Sequence, residues 1–308
     1  MPHLLKKTRQ RLTQFFWQTY SHTNLASQKI ATALQNRGNP HIVWDHFAII
    51  DLPSAYSGIP YLSQLFSALG YRVQGVDYLA EKQNDFLWMV EEDAITQLAT
   101  EVLPQIVVAD FRLQELPATV KTIIEKYTQQ MSPLSLQKIQ CLSGKTYLGD
   151  TEAATQLLSL LIKYFSNRPW PLPTVADFNT VHQANELLAW VLLWGPIPNH
   201  FTISAHLLTG FDAMLSFMHF IEIELGLSLN TEGGVIKGNA ALGIEQSSTL
   251  GMPMTVVLAD GSVQIPGPFV EFIWRHPVDN NKVPVYWRDY YTGFIAQHAN
   301  KVVESLYQ

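Results

Sequence analysis

The sequence predicts an α+β fold in which two βαβββ modules form one curved mixed sheet around a cavity. The first observation behind this prediction is a strand, helix, strand, strand, strand order over residues 41–113 that recurs over residues 198–276, on either side of a helical insert at 114–197. The second is that each copy opens on a strand with a histidine, in Asp45-His46-Phe47 and in Asn199-His200-Phe201. If the copies pack as pseudo-symmetric halves, their opening strands meet in the middle and both histidines face one cavity.

The N-terminal segment, residues 1–40, is predicted to be helical, with a Lys/Arg cluster on its solvated face, and to end at the Asn36-Arg-Gly-Asn-Pro40 turn. The first module follows as a strand, a helix that Gly70 can cap and three further strands. These elements are expected at residues 41–51, 57–69, 71–76, 86–91 and 105–113. In the opening strand, alternation places four side chains on one face: Trp44, His46, Ala48 and Ile50.

The helical insert is predicted from apolar residues at three- and four-residue spacing over 117–129, 151–165 and 175–190. The second module then repeats the order of the first. Its elements are expected at residues 200–206 for the opening strand, 211–225 for the helix, and 233–239, 242–249, 254–258 and 269–275 for the later strands. A last helix is expected at 291–306, in the C-terminal segment 277–308, and the five segments are expected to form one integrated domain.

Composition and charge restrict the classes of protein to which the chain can belong. Lys and Arg number 20 against 26 Asp and Glu, a formal charge of -6, and the basic residues are mostly scattered, which argues against a nucleic-acid partner. No apolar run approaches the ~18 residues of a membrane-spanning helix, so no membrane partner is expected. Cys141 is the only cysteine, which excludes an internal disulfide and a thiolate-rich metal site and makes the cytoplasm the expected location.

Two histidines and one carboxylate are candidates for a metal site. His46 and His200 lie on the opening strands, and Glu271 lies in an otherwise apolar strand, where its burial is costly unless it is paired or bound to a metal. Two imidazoles and a carboxylate form the facial triad of Fe(II) enzymes, or a similar site for Zn, Mn, Ni or Co, and leave positions open for substrate and O2. Two structural interpretations stand beside this one: a strand histidine is usually a hydrogen-bonded structural residue, and Glu271 can pair with an Arg or Lys.

Four further residues are candidates for substrate binding. Gln246 and Ser248 belong to a run of amide and hydroxyl groups. In the functional interpretation this run orients a bound carboxylate or a ligand histidine through hydrogen bonds. In the structural interpretation it is a ladder of polar side chains on an edge strand. Lys237 follows a glycine pair that lacks phosphate-loop spacing, and Arg275 shares a strand face with the candidate carboxylate ligand. Each cation equally suits a surface or structural role. His206 shares a face with the ligand histidine of its strand but lies too far along it to bind the same ion.

Seven short stretches of the chain carry a family resemblance. They are Asp45-His-Phe-Ala48, Tyr127-Thr128 after Asp110-Phe-Arg-Leu-Gln-Glu-Leu116, Trp170-Pro-Leu-Pro173, Ala189-Trp-Val-Leu-Leu-Trp-Gly195, Asn199-His-Phe-Thr202, Gln246-Ser-Ser-Thr249 and Val270-Glu-Phe272. Together and in this order they resemble the DUF1338 family of 2-oxoadipate dioxygenase/decarboxylases, or hydroxyglutarate synthases, from about residue 40 to the C-terminus.

The resemblance implies a fold, a metal site and a reaction. The fold is that of the vicinal oxygen chelate superfamily, and the site is a mononuclear Fe(II) centre whose ligands match His46, His200 and Glu271. The reaction is an O2-dependent decarboxylation of a 2-oxo acid in which the shortened substrate is itself hydroxylated. The implied partners are therefore a small-molecule 2-oxo acid and O2, while the oligomeric state stays open.

One position departs from the family pattern. The family's 2-oxoadipate enzymes carry an arginine four residues after the first histidine, where it can clamp a substrate carboxylate, and this chain has Ile50 there. Lys237 or Arg275 could supply the anchor from another strand; otherwise the resemblance implies a less charged or shorter 2-oxo acid. The alternatives are a non-oxidative metal-dependent isomerase or hydrolase of the same superfamily, and a small-molecule binding protein without catalysis.

Overall fold

The computed structural model describes residues 3–306; the ends of the two predicted terminal segments, residues 1–2 and 307–308, lie outside this range. Within it the strands are β1 (Trp44–Ile50), β2 (Tyr71–Leu79), β3 (Asn84–Glu91), β4 (Gln105–Phe111), β5 (Pro198–Ser204), β6 (Lys237–Asn239), β7 (Ile244–Ser248), β8 (Pro253–Val257), β9 (Ser262–Pro266) and β10 (Phe269–Arg275). The helices are α1 (His3–Thr23), α2 (Leu25–Asn36), α3 (Ile59–Ala68), α4 (Ala118–Thr128), α5 (Leu136–Tyr147), α6 (Thr151–Phe165), α7 (Val175–Ala184), α8 (Glu186–Trp194), α9 (Met214–His219) and α10 (Ala296–Val303).

Eight strands of the described range form one mixed sheet in the order β2-β3-β4-β1-β5-β10-β7-β6. Each half has the same internal order, because β1 pairs in parallel with β4 and β5 pairs in parallel with β10. The opening strands β1 and β5 run antiparallel at the centre. The sheet curls into a half-barrel, which confirms the predicted α+β class with two βαβββ modules. The division of the chain into five segments stays a prediction.

One predicted strand of the second module lies outside the main sheet, in a hairpin formed by β8 and β9. The sequence predicts a module strand at 254–258, but β8 pairs with β9 in a separate two-stranded sheet. β10 lies beside β7 instead. The reason is burial: nearly every residue of β10 is buried, whereas β8 alternates between exposed and half-buried residues. Only β10 therefore suits a central strand that is covered on both faces.

Helices cover both faces of the sheet. The outer face packs against α1, α2, α3, α5, α6 and α9 in a core that includes Phe16, Phe47 and Phe201. The inner face is covered by α4, α7, α8, α10 and the β8–β9 hairpin. Residues 187–193 of α8 are all apolar and buried, so this helix is enclosed on every side. The inner layer leaves a cavity over the central strands.

Several helices differ from their predicted extents. The stretch at 175–190 forms two helices because Asn185 has an extended backbone and its side chain caps α8 by accepting a hydrogen bond from the Leu188 N–H. The stretch at 211–225 begins later than predicted, and its second half is a π-helix at Phe220–Glu224. α5 has no predicted counterpart. In the described part of the chain, none of the helices has both the length and the apolar character to cross a bilayer.

Candidate metal centre

The three predicted ligands lie on three adjacent central strands. His46 is on β1, His200 on β5 and Glu271 on β10, and all three side chains are buried. Glu271 Oε2 lies 3.0 Å from His46 Nε2 and 3.1 Å from His200 Nε2. One ligand atom from each residue falls within 4.8 Å of the other two, as the ligands of a single ion require. The structure therefore brings the predicted triad together.

Two β-bulges, one on each opening strand, determine which side chains face the cavity. The pairing register of β1 with β5 shifts twice. The first shift brings Asp45 and His46 together on the inner face, and the second does the same for Asn199 and His200. Strict alternation would place Trp44 on the face of His46, but the bulge turns Trp44 outward, where its ring centroid lies 4.1 Å from that of a tryptophan of α1.

On the His46 side of the site, a continuous chain of hydrogen bonds runs from His46 through Asp45 to Arg275. His46 Nδ1 donates to Asp45 Oδ1 over 2.8 Å, which leaves Nε2 as the nitrogen that faces the site. Arg275 grips the same carboxylate with two bonds, Nε to Oδ2 over 2.6 Å and Nη2 to Oδ1 over 2.9 Å. Its Nη1 donates to the carbonyls of Tyr291 and Gly293. Burial acts to raise the pKa of Asp45, but Arg275 and His46 outweigh it and hold that pKa below its usual range.

The charges around His46 favour its protonated form in the metal-free site. Burial opposes a charge on His46, but Glu271 and Asp45 outweigh burial and raise the pKa of His46 to about 9. Burial likewise acts against an ionised Glu271, yet the two histidines keep the pKa of this carboxyl well below its usual value. A metal ion at His46 Nε2 would take the place of this proton, so metal binding and proton release are coupled at this site.

The His200 side, by contrast, keeps open hydrogen-bonding capacity. Burial lowers the pKa of His200, which favours the neutral ring. Among the described residues neither ring nitrogen makes a hydrogen bond, because the 3.1 Å approach of Nε2 to Glu271 lacks hydrogen-bond geometry. Stacking on Phe269, at 5.0 Å between ring centroids, positions the ring. A neutral imidazole with an unbonded nitrogen beside a carboxylate oxygen suits a metal ligand.

Neutral donors hold both oxygens of Glu271. Thr202 Oγ1 donates to Oε2 over 2.9 Å, and Gln246 Nε2 donates to Oε1 over 2.8 Å. In residues 3–306 the ion-pair partners of Glu271 are the two histidines, so the salt bridge to Arg or Lys that competed with a metal role is not formed. The donor set, the convergence of its atoms and the unbonded His200 nitrogens fit a divalent ion with positions left for substrate.

Gln246 and Ser248, predicted to bind substrate, have different surroundings. Gln246 lines the cavity and bonds a predicted ligand, while its own Oε1 has no hydrogen-bond partner within the described range. Ser248 is turned toward the C-terminal segment, with its Oγ 2.8 Å from Ser305 Oγ. β7 lies between β10 and β6, so the alternative interpretation of this run as an edge-strand ladder does not hold.

The two cations predicted to bind substrate are held by protein groups. Lys237 Nζ donates to the carbonyl of Asn230 over 3.0 Å, and burial lowers the pKa of Lys237 to about 8. Arg275 is bonded to Asp45, as described above. Of the residues that the structure describes, neither cation lines the cavity beside the triad. His206 lies in a second, small cavity next to Arg275, where burial lowers its pKa to about 4.

The cavity beside the triad is apolar away from the ligands. Three amide side chains complete its polar lining, those of Asn84, Asn199 and Gln246. The other lining residues are Ala48, Ile50, Leu79, Phe86, Val107, Ala109, Phe294, Ala299, Val302 and Val303. No lysine or arginine within residues 3–306 is part of this lining. Ile50 therefore belongs to an apolar wall built from strands β1 to β4 of the first half and from the C-terminal segment.

The positions of Asp45 and Asn199 were not predicted, although the sequence contains a signal for them. Each directly precedes a candidate ligand histidine, and in a regular strand the preceding residue points to the opposite face. Two neighbouring polar residues in otherwise apolar strands share a face only at a bulge. The Asp-His and Asn-His pairs in equivalent places of the two copies were that signal.

Comparison with known sequences identifies relatives over almost the whole chain. The family model described as 2-oxoadipate dioxygenase/decarboxylase matches residues 10–304. The chain is 28% identical over 297 residues to the rice protein named 2-oxoadipate dioxygenase/decarboxylase, chloroplastic/amyloplastic, an alignment that covers 93% of this chain and 75% of the relative. It is 26% identical over 302 residues to the Arabidopsis thaliana protein named 2-oxoadipate dioxygenase/decarboxylase, chloroplastic, covering 94% and 75%.

Solved structures show the same architecture. The rice hydroxyglutarate synthase, crystallised in complex with 2-oxoadipate, superposes with a TM-score of 0.79 at 25% identity and covers 99% of this chain and 94% of its own. A putative glyoxalase superfamily protein from Ralstonia eutropha JMP134 superposes with a TM-score of 0.76 at 18% identity, covering 93% and 85%. The second likeness concerns the fold alone.

Proposed function

The chain belongs to the 2-oxoadipate dioxygenase/decarboxylase family, and on that premise we propose that it uses Fe(II) and O2 to decarboxylate a 2-oxo acid with a largely uncharged tail. The observation that carries the proposal is the convergence of His46, His200 and Glu271 on one point of a cavity whose remaining wall is apolar. The reaction consumes one O2, releases one CO2 and leaves a 2-hydroxy acid that is one carbon shorter.

The residues of the chain have distinct tasks in this proposal. Fe(II) at the triad supplies Lewis acidity toward the 2-oxo acid and the redox capacity to use O2. Asp45 holds the Nδ1 proton of His46 and thereby directs its Nε2 lone pair into the site. Thr202 and Gln246 orient Glu271. The apolar wall keeps bulk water from the reacting centre.

The substrate class follows from the wall of the cavity. A second carboxylate at the far end of the substrate would enter an apolar environment without a lysine or arginine among its described lining residues, at a high desolvation cost. Ile50, at the position where the resemblance places an arginine in 2-oxoadipate enzymes, offers only apolar contact. An acid that ends in a methyl group suits this wall, and 2-oxohexanoate is the matched probe, because it has as many carbons as 2-oxoadipate and lacks only the second carboxylate.

Oxygen consumption by iron-loaded protein tests the proposed reaction. Protein reconstituted with Fe(II) without air is mixed with O2 and one 2-oxo acid at a time, including 2-oxohexanoate and 2-oxoadipate. We expect O2 uptake that depends on the 2-oxo acid, with a higher kcat/KM for 2-oxohexanoate, and no uptake by His200→Ala, which lacks a ligand. If no acid in the panel supports uptake, the oxidative reaction is refuted and the isomerase, hydrolase and binding-protein alternatives take its place.

The substitution Ile50→Arg tests the assignment of specificity to the wall. A guanidinium at this position should bind the distal carboxylate, and a charge-assisted hydrogen bond of this kind changes affinity by roughly 10- to 100-fold. We expect KM for 2-oxoadipate to fall relative to that for 2-oxohexanoate, whereas the apolar control Ile50→Leu should keep the wild-type preference. An unchanged ratio in Ile50→Arg would show that specificity is decided elsewhere.

The cellular location of the protein is a separate matter. The single cysteine supports a cytoplasmic location, while the names of the two plant relatives place those proteins in plastids. The proposed partners are a 2-oxo acid and O2.

A further inference from the structure

Asn199 is a fully buried amide that the protein itself leaves unused. Its exposed fraction is 0%, and neither Oδ1 nor Nδ2 has a hydrogen-bond partner in residues 3–306. Buried amide groups are nearly always hydrogen-bonded, since their desolvation otherwise costs free energy. Asn199 lines the cavity beside the triad and directly precedes the ligand His200. An unsatisfied amide in this place indicates a partner that enters the cavity.

The β5 bulge gives Asn199 this position. Without the second register shift, Asn199 would point to the outer face, where Phe201 packs in the apolar core. The equivalent bulge on β1 presents Asp45 beside His46, where the carboxylate is fully used by the histidine and Arg275. The amide of Asn199 makes no such bond to His200, whose Nδ1 also lacks a hydrogen bond in the part of the chain that the structure describes. The two copies therefore use equivalent positions differently.

We propose that Asn199 is a substrate-binding residue whose Nδ2 donates a hydrogen bond to the carboxylate of the 2-oxo acid head group; this inference rests on the proposed function. The head group offers only acceptors, and the amide N–H groups of Asn199 are unused donors in the cavity lining next to a ligand histidine. Asn84, another amide of the lining, already donates to the carbonyl of Asp110 over 2.7 Å. Gln246 donates to Glu271. Each of those two amides has one N–H bonded to a protein group, whereas both N–H groups of Asn199 are unbonded within the described chain, so Asn199 offers the head group the most free donors.

The test measures ligand binding without turnover. Wild type, Asn199→Leu and Asn199→Ala are loaded with Zn(II), and the affinity for 2-oxohexanoate is measured by titration calorimetry, together with the affinity for Zn(II) and the thermal midpoint of the metal-free proteins. Gln105→Leu is the matched control, because Gln105 is also a buried amide with both polar atoms unbonded in the described chain but does not line the cavity.

We expect Asn199→Leu to bind 2-oxohexanoate roughly 10- to 100-fold more weakly than wild type, the loss of one hydrogen bond to a charged group. Its Zn(II) affinity should stay within a few-fold of wild type, and its metal-free thermal midpoint should be unchanged or higher, because an unsatisfied amide has been replaced by an apolar group. Gln105→Leu should bind the acid as wild type does. Asn199→Ala should show the same loss if the leucine is too large for the site.

Three results would overturn the inference. Unchanged acid binding in both Asn199 variants would show that the amide does not contact the head group. A large loss of Zn(II) affinity would make Asn199 a positioning residue for His200. A lower thermal midpoint with normal acid binding would make it structural. The proposed function fails by different readouts: no acid of the panel would support O2 uptake by wild type, and if wild type also failed to bind 2-oxohexanoate the inference would fall with it.

Discussion

The two opening strands carry equivalent pairs of a polar residue and a histidine, but they differ in how far those side chains are hydrogen-bonded. Each presents a polar residue and a histidine side by side at a bulge. On β1 every polar atom of the pair is engaged: Arg275 holds Asp45, and Asp45 holds His46. On β5 the four polar side-chain atoms of Asn199 and His200 have no hydrogen bond within the described chain.

In the proposed metal centre, this difference would make His46 a ligand that is fixed before metal binding and His200 a ligand whose bonds are completed by the metal. A saturated network holds one ring tautomer and one orientation, which lowers the cost of forming the site. An unsaturated pair costs stability in the empty protein and gains partners when metal and substrate enter. We therefore expect substitutions on the β1 side to affect folding and substitutions on the β5 side to affect ligand binding.

The largest expected effect on stability comes from Arg275→Met, which opens the β1 network. The substitution removes the guanidinium that holds the buried Asp45 with two bonds, and breaking a buried ion pair from one side costs about 3–5 kcal/mol. Metal affinity should fall roughly 10- to 100-fold as well, because the histidine loses its outer support. Urea unfolding of the metal-free protein measures the first effect and Zn(II) titration the second.

Arg112→Met is the control for this prediction. Arg112 also grips a carboxylate with two bonds, both 2.7 Å, but its pair with Asp85 is partly exposed, with side-chain exposures of 34% and 35%. Solvent screens such a pair, so its loss should change stability far less than the loss of Arg275. Equal destabilisation by the two substitutions would refute the special role of the β1 network.

The sequence predicted the order of most strands along the chain and the three residues that converge in the candidate metal centre, and the reasons are physical. Alternation identifies β1 and β5 and a short apolar run identifies β10, where a carboxylate draws attention because its burial is costly. Alternation also placed Ala48 and Ile50 on the face of His46, and all three line the cavity.

Features that depend on register or on distant contacts could not be predicted in this way. The bulge that turns Trp44 outward is a pairing property of two strands far apart in the chain. The partner of Arg275 is Asp45, 230 positions away, and no local pattern links them. The choice of β10 over β8 as the central strand depended on which of two short apolar stretches is covered on both faces.

The smallest expected effect, a difference between two alanine variants, tests the comparison most directly. His46→Ala and His200→Ala should both abolish binding of the roughly one Fe(II) per chain that the facial triad predicts. Packing losses are common to both variants, so their costs in metal-free stability should differ by about 1.5–3 kcal/mol, the contribution of one hydrogen bond to a charged group. Within residues 3–306 His46 donates such a bond to Asp45, whereas neither ring nitrogen of His200 is hydrogen-bonded. Urea unfolding in the presence of a chelator measures this difference. Equal stability losses would mean that the bond between His46 and Asp45 orients the ring without strengthening the fold, so that the two strands differ in ligand geometry alone.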